Sequence, residues 1–347
     1  MQRIFLPFVF IVSAVLVLTG CERPSAQKAQ NGFRGTAMVD IQNPRINEDK
    51  AKLNELPPSL GAAPANGEKA SKVYKNVKVL GNLSQAQFTA FMVSMTSWVA
   101  PNEGCVYCHN PANFAEDSKY TKTVSRRMIQ MTQNINVNWK DHVSQTGVTC
   151  YTCHRGNNIP QNVWFKQNPQ TASGTALGNL NGQNQASASV GYSSLTYEPF
   201  SKYLLASNAA RIQGKEGLPN GNVHSFQETE DVYALMMHFS KSLGVNCTYC
   251  HNSRAFSDWS QSTPQRSQAW YGIQMVKDIN NTYMNPLLGT FPPYRLGKEG
   301  DVAKANCLTC HQGVNKPLYG ISMIADYPFL VESYSTKATT GKTVVTK

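Results

Sequence analysis

Charged residues are scarce. Lys and Arg number 32 and Asp and Glu 21 in 347 residues, 15% of the chain, against roughly 25% in an average soluble domain. Solubility then needs a source of charge besides the side chains. Intrinsic disorder is excluded by the opposite shortage: with 10% aromatic and 41% hydrophobic residues, too little of the chain is polar for that class. Long apolar runs are also missing after residue 18, so nothing beyond the leader can span a bilayer. Histidine is sparse, at seven residues, whereas cysteine, at nine, is not. The length fits one large or two ordinary domains.

Gln2 and Arg3 precede an apolar run from Ile4 to Leu18, which closes on Leu18-Thr19-Gly20-Cys21. The run is shorter than the ~20 residues a spanning helix needs and reads as a signal peptide over residues 1–20. Leu-Thr-Gly-Cys resembles the bacterial lipobox, which makes Cys21 the expected mature first residue and the carrier of diacylglycerol and an N-acyl chain. Each buried methylene contributes about 0.8 kcal/mol, so two or three chains anchor stably. The expected location is the outer, periplasmic face of a bacterial inner membrane.

The other eight cysteines fall in four pairs, each followed at once by histidine: Cys105/Cys108/His109, Cys150/Cys153/His154, Cys247/Cys250/His251 and Cys307/Cys310/His311. Chance gives about 0.005 such pentapeptides in a chain of this composition, and Cys-x-x-Cys-His is the attachment signature of c-type haem. Two thiols at this spacing reach the two vinyl groups of one porphyrin while the adjacent imidazole turns onto iron. Four covalent haems are expected. Zinc knuckles do not require His after every second Cys, and disulfide frameworks do not repeat a fixed Cys-x-x-Cys.

The motif histidines are spaced by 45, 97 and 60 residues, so the longest gap separates two pairs. Before the first motif, Ser84 with Gln87 forms a capping box and Leu83 can staple to Phe88. Apolar residues then recur at Phe88, Phe91, Met92, Met95 and Val99, one face of a helix. Before the third motif Val232, Leu235, Met236, Phe239 and Leu243 repeat these offsets, and Glu228, Glu230 and Asp231 suit the N-terminal dipole. After motifs one and three, Ile129-Gln130-Met131 with Ile135-Asn136 matches Ile273-Gln274-Met275 with Ile279-Asn280, and Thr263-Pro264 starts the second of these helices. The expected fold is mainly α: two haem-pair segments related by a pseudo-two-fold axis, with much irregular structure organised around four haems. The expected divisions are a lipid-anchored arm at 21–70, haem-pair segments at 71–165 and 223–315, a connecting segment at 166–222 with a flexible, Asn- and Gln-rich start, and a C-terminal segment and tail at 316–347.

Each iron has its motif histidine and wants a second axial ligand, commonly Met or His. Met92 and Met236 occupy equivalent places on the two helix faces, with Met95 and Met237 as alternatives. On the Ile-Gln-Met alignment Met128 corresponds to Gly272 and His142 to Pro286, so the first half offers two ligands where the second offers none. Met128 and His142 are the economical choices for the two remaining irons, giving three His/Met haems and one His/His. His238 lies on the opposite helix face from Met236, as a solvated or hydrogen-bonded residue, and His224 sits in a preceding loop. Arg126, Arg127, Arg254 and Arg266 fall near the haem segments.

This constellation resembles the cytochrome c subunit of bacterial photosynthetic reaction centres, over roughly residues 84–315 and, separately, the lipobox. The resemblance implies that Met92 serves the haem of His109, Met128 that of His154, Met236 that of His251, and His142, crossing between halves, that of His311. It also implies electron transfer rather than catalysis: a soluble c-type cytochrome or a high-potential iron-sulfur protein donates, and the photo-oxidised bacteriochlorophyll special pair accepts. The implied partners are the L and M subunits, with H in the same complex. The alternatives are a lipid-anchored multihaem carrier for another partner and a multihaem reductase; a reductase needs an open iron position, and here four candidates meet four irons. Eight propionates and the loss of Arg3 with the leader bring the net charge from +11 to about +2, which removes any basis for a nucleic-acid partner.

Overall fold

The computed structural model describes residues 24–30, 39–167, 187–212 and 226–332. The leader, Cys21, the first part of the connection, His224 and the last residues of the tail lie outside them. About half of the described chain is helical, and the sheet is a single antiparallel pair, β1 (Gln27–Gln30) with β2 (Val39–Gln42). No helix among the described residues is long and apolar enough to cross a membrane.

A short helix, α1 (Pro44–Leu53), follows the hairpin, with Asn43 as its cap and Pro44 at its first position. Helix α2 (Gln85–Val99) begins at the expected capping box: the Ser84 hydroxyl accepts from the Gln87 amide at 3.1 Å, and the Gln87 side chain accepts from the Ser84 amide at 3.2 Å. The first motif follows in a 3-10 turn at Gly104–Tyr107, then come α3 (Tyr120–Asn138) and the second motif as the one-turn helix α4 (Cys150–His154). The succession recurs as α5 (Phe226–Leu243), a 3-10 turn at Cys247–Tyr249, α6 (Pro264–Asp278) and α7 (Cys307–His311). Thr263 caps α6 by backbone position only; its hydroxyl instead donates to the Tyr249 carbonyl at 2.6 Å, as Thr121 at the start of α3 does to Tyr107 at 2.5 Å. Each thereby ties a helix start to its outer motif.

Apolar side chains gather in two cores. One joins Leu83, Phe91, Trp98 and Ile129 to Tyr327, Phe329 and Leu330; the other joins Leu235, Ile273, Val276 and Ile279 to Phe200, Tyr203 and Leu204. The connecting and C-terminal segments are thus more than linker and tail where they are described. A paired asparagine explains their role. Asn136 holds Val148 through both amide and carbonyl contacts, 2.7 and 2.9 Å, and donates to Leu330 O. Asn280 holds Ala305 at 2.8 and 3.0 Å and donates to Leu204 O. Val148 and Ala305 each stand two residues before an inner motif, so each half borrows a lid from a different part of the chain to close the same joint.

Candidate haem-binding site

The four motifs present their histidines in one chemical state. In each, the ring Nδ1 donates to a backbone carbonyl: His109 to Phe114 at 3.0 Å, His154 to Asn157 at 2.8 Å, His251 to Phe256 at 2.9 Å and His311 to Val314 at 2.9 Å. A carbonyl only accepts, so Nδ1 carries the proton and Nε2 is left with a free lone pair, the tautomer a metal needs. Burial lowers the pKa of His154 and His251 and brings that of His311 to about 4, which keeps these rings neutral and able to ligate near pH 7. Burial also pushes the Cys150 and Cys307 thiols up to about 12 and Cys250 to about 11, so they stay protonated.

All eight motif cysteines and all four motif histidines line one continuous cavity of about 2390 Å³. A site for one small ligand occupies about 300–1,000 Å³, so this space has room for more than one such group. Met92, Met128, Met236 and His142 line it too, as do Met95 and Met237; Arg126, Arg254 and Arg266 reach it, whereas Arg127 instead stacks over Tyr283 at 4.7 Å. Among the described residues no three His, Cys, Asp or Glu side chains gather as a metal cluster.

His142 stands apart from the other histidines outside the motifs. Its ring centroid is 6.0 Å from that of His311, and its Nδ1 donates to the Gln268 carbonyl at 2.9 Å, the same backbone tether that the motif histidines use. His238, by contrast, is fully buried away from the cavity: it donates to Ser189 O at 2.9 Å, lies 4.6 Å from the Phe200 ring and has its pKa lowered by burial to about 4. A solvated position for His238 is thus corrected to a hydrogen-bonded core position. It occupies the same place on α5 that Ser94, bonded to the Tyr327 hydroxyl at 2.7 Å, holds on α2.

The inner motifs touch. Helix α4 packs on α2 and on α7, and α7 packs on α5, so the helices that precede the outer motifs flank the two inner motifs. Cys153 and Cys310 face each other at the centre, Cα atoms 4.6 Å apart and sulfurs in contact, a contact that haem attachment to both residues would replace. Arg155, left-handed at φ 49°, reaches from motif two to Cys310 O at 3.1 Å and also to Leu53 O. Neither the carbonyl tethers nor these bridges follow a residue pattern, because their acceptors are backbone groups that any sequence supplies.

The residue pattern of the family described as "Photosynthetic reaction centre cytochrome C subunit" matches residues 22–331. A photosynthetic reaction center cytochrome c subunit of Rubrivivax gelatinosus is 52% identical over 320 residues, 92% of this chain and 87% of the relative. That of Thermochromatium tepidum is 47% identical over 337 residues, 97% and 82% respectively, and that of Roseobacter denitrificans 43% identical over 316.

Proposed function

We propose, for a chain that belongs to the photosynthetic reaction centre cytochrome c subunit family, that it carries electrons from a soluble periplasmic donor to the photo-oxidised bacteriochlorophyll special pair through four covalently held haems. Its family places it in photosynthetic electron transport, in association with a reaction centre and its membrane. The continuous cavity onto which all four motifs open carries the reading, since it lets redox groups sit within contact of one another. The haems, when bound, supply one-electron carriers whose potentials follow their axial ligands.

The protein's part is to hold and tune them. Cys105 and Cys108, Cys150 and Cys153, Cys247 and Cys250, and Cys307 and Cys310 supply the thioethers. His109 with Met92, His154 with Met128, and His251 with Met236 form three His/Met pairs, and His311 with His142 the one His/His pair. In support, the His142 and His311 ring centres lie 6.0 Å apart and each Nδ1 is tethered to a backbone carbonyl, so both Nε2 lone pairs would be available to hold one iron. The repeated succession of elements and the central contact of motifs two and four support a pseudo-two-fold axis between them. Cys21 carries the lipid that fixes the chain to the periplasmic face, the L and M subunits with H form the docked complex, and a small c-type cytochrome or a high-potential iron-sulfur protein is the donor.

Flash-induced absorbance in native membranes, poised so that the high-potential haems start reduced, tests this. Haem oxidation should track re-reduction of the special pair and vanish when the chain is absent. Haems that stay reduced after the flash yet respond to a chemical oxidant would make the protein a carrier for another partner.

A further inference from the structure

Gly272 sits mid-helix in α6, buried and without a left-handed backbone, so its conformation does not call for glycine. In such a place glycine costs a helix about 1 kcal/mol relative to alanine. What stands against it is the His142 ring. A Cβ built on Gly272 would lie 2.7 Å from His142 Cε1, 3.0 Å from Nδ1 and 3.3 Å from Nε2. The ring is held there because Nδ1 donates to Gln268 O, the carbonyl one turn earlier on the same helix. Cα–Cβ bonds tilt toward a helix N-terminus, so a side chain at 272 would point into the turn the ring covers. The equivalent position of α3 is Met128, whose side chain lines the cavity.

We propose that Gly272 is a positioning residue that decides the ligand set of the fourth motif's haem: where α3 presents its own methionine, α6 presents an empty backbone that admits a histidine from the other half. The loss of a ligand at 272 and its gain at 142 are then one change seen from two places. This rests on the reading of His142 as axial ligand to the haem of His311.

A double-mutant cycle on the full chain, in the isolated reaction-centre complex, separates the two. Redox titration resolves four haem midpoints, and electron paramagnetic resonance of the oxidised haems reports each axial geometry. Gly272→Ala should shift one midpoint and one low-spin signal and leave three unchanged; added to His142→Ala, it should change nothing further. An unaltered titration and spectrum for Gly272→Ala, or an equal effect with and without the imidazole, overturns the proposal. Should Gly272→Ala fail to accumulate, the same cycle is read as yield: recovery in the double variant to the level of His142→Ala supports the clash with the ring, and no recovery refutes it. If His142→Ala moves none of the four midpoints, the ligand reading itself falls, separately from the role of Gly272.

Discussion

Motifs one and three differ from motifs two and four although all four share one pentapeptide pattern. The outer pair lies in 3-10 turns, with Cys105 and Cys247 exposed. Their histidines bond a carbonyl five residues on and lie against the phenylalanine there, His109 on Phe114 at 4.9 Å and His251 on Phe256 at 5.4 Å. The inner pair forms capped α-turns, bonds a carbonyl three residues on, and is entered through the buried Asn136 and Asn280 joints. The attachment motif specifies a chemistry, and the residues around it decide whether that chemistry sits at an edge or at the centre.

The largest effect that would break this comparison lies in the cysteines. Cys307→Ala with Cys310→Ala should abolish accumulation of the protein, whereas Cys105→Ala with Cys108→Ala should leave a three-haem chain, as counted by haem stain and haemochrome absorbance. Equal yields would erase the distinction. The lids come next. Leu330→Ala and Leu204→Ala, both fully buried, should each cost about 2–5 kcal/mol in denaturant unfolding, while Phe114→Ala at an outer motif, 53% exposed, should cost about 1 kcal/mol or less.

His238 sharpens the contrast between the two cores through pH. Its pKa is lowered from 6.5 to about 4 by burial, so the unfolded chain binds the proton more tightly and stability falls as pH drops from 6.5 toward 4, by roughly 3 kcal/mol in full. His238→Asn should flatten that limb, and a loss unchanged by the substitution would place its origin elsewhere. Asp117 gives the smallest effect. Arg126 first, then Lys78, Asn76 and Lys122, hold its carboxyl well below the usual carboxylate range. A depressed carboxylate stabilises above its unfolded pKa and loses that contribution as pH falls through the acid range. With a third of the side chain exposed, less than about 1 kcal/mol is at stake. Asp117→Asn should remove it, read as a shallower acid limb.

Much of this organisation was legible in the residues. The capping box at Ser84, the two amphipathic helices and the Ile-Gln-Met repeat are local patterns, and each is found where its pattern stands. The lids were not legible, since residues 187–205 and 318–331 carry no helical period and are ordered by tertiary contacts with distant asparagines. His238 was misjudged in part because angular position on a helix does not say what covers the far face, here Phe200 and Ser189. The alignment pairs Met128 with Gly272, but only the ring of His142 supplies a physical reason for the glycine.

The arm has a consequence for the order of assembly. Its strand β2 is fastened at Val39 O by Asn246 at 2.7 Å, and at the end of α1 Asn54 donates to Gln312 O and accepts from the Leu318 amide, partners 258 and 264 residues away. A segment near the start of the chain therefore waits for one near its end, and loop closure over such separations is slow. The arm should then be among the last segments to find its seat, since its contacts span most of the chain.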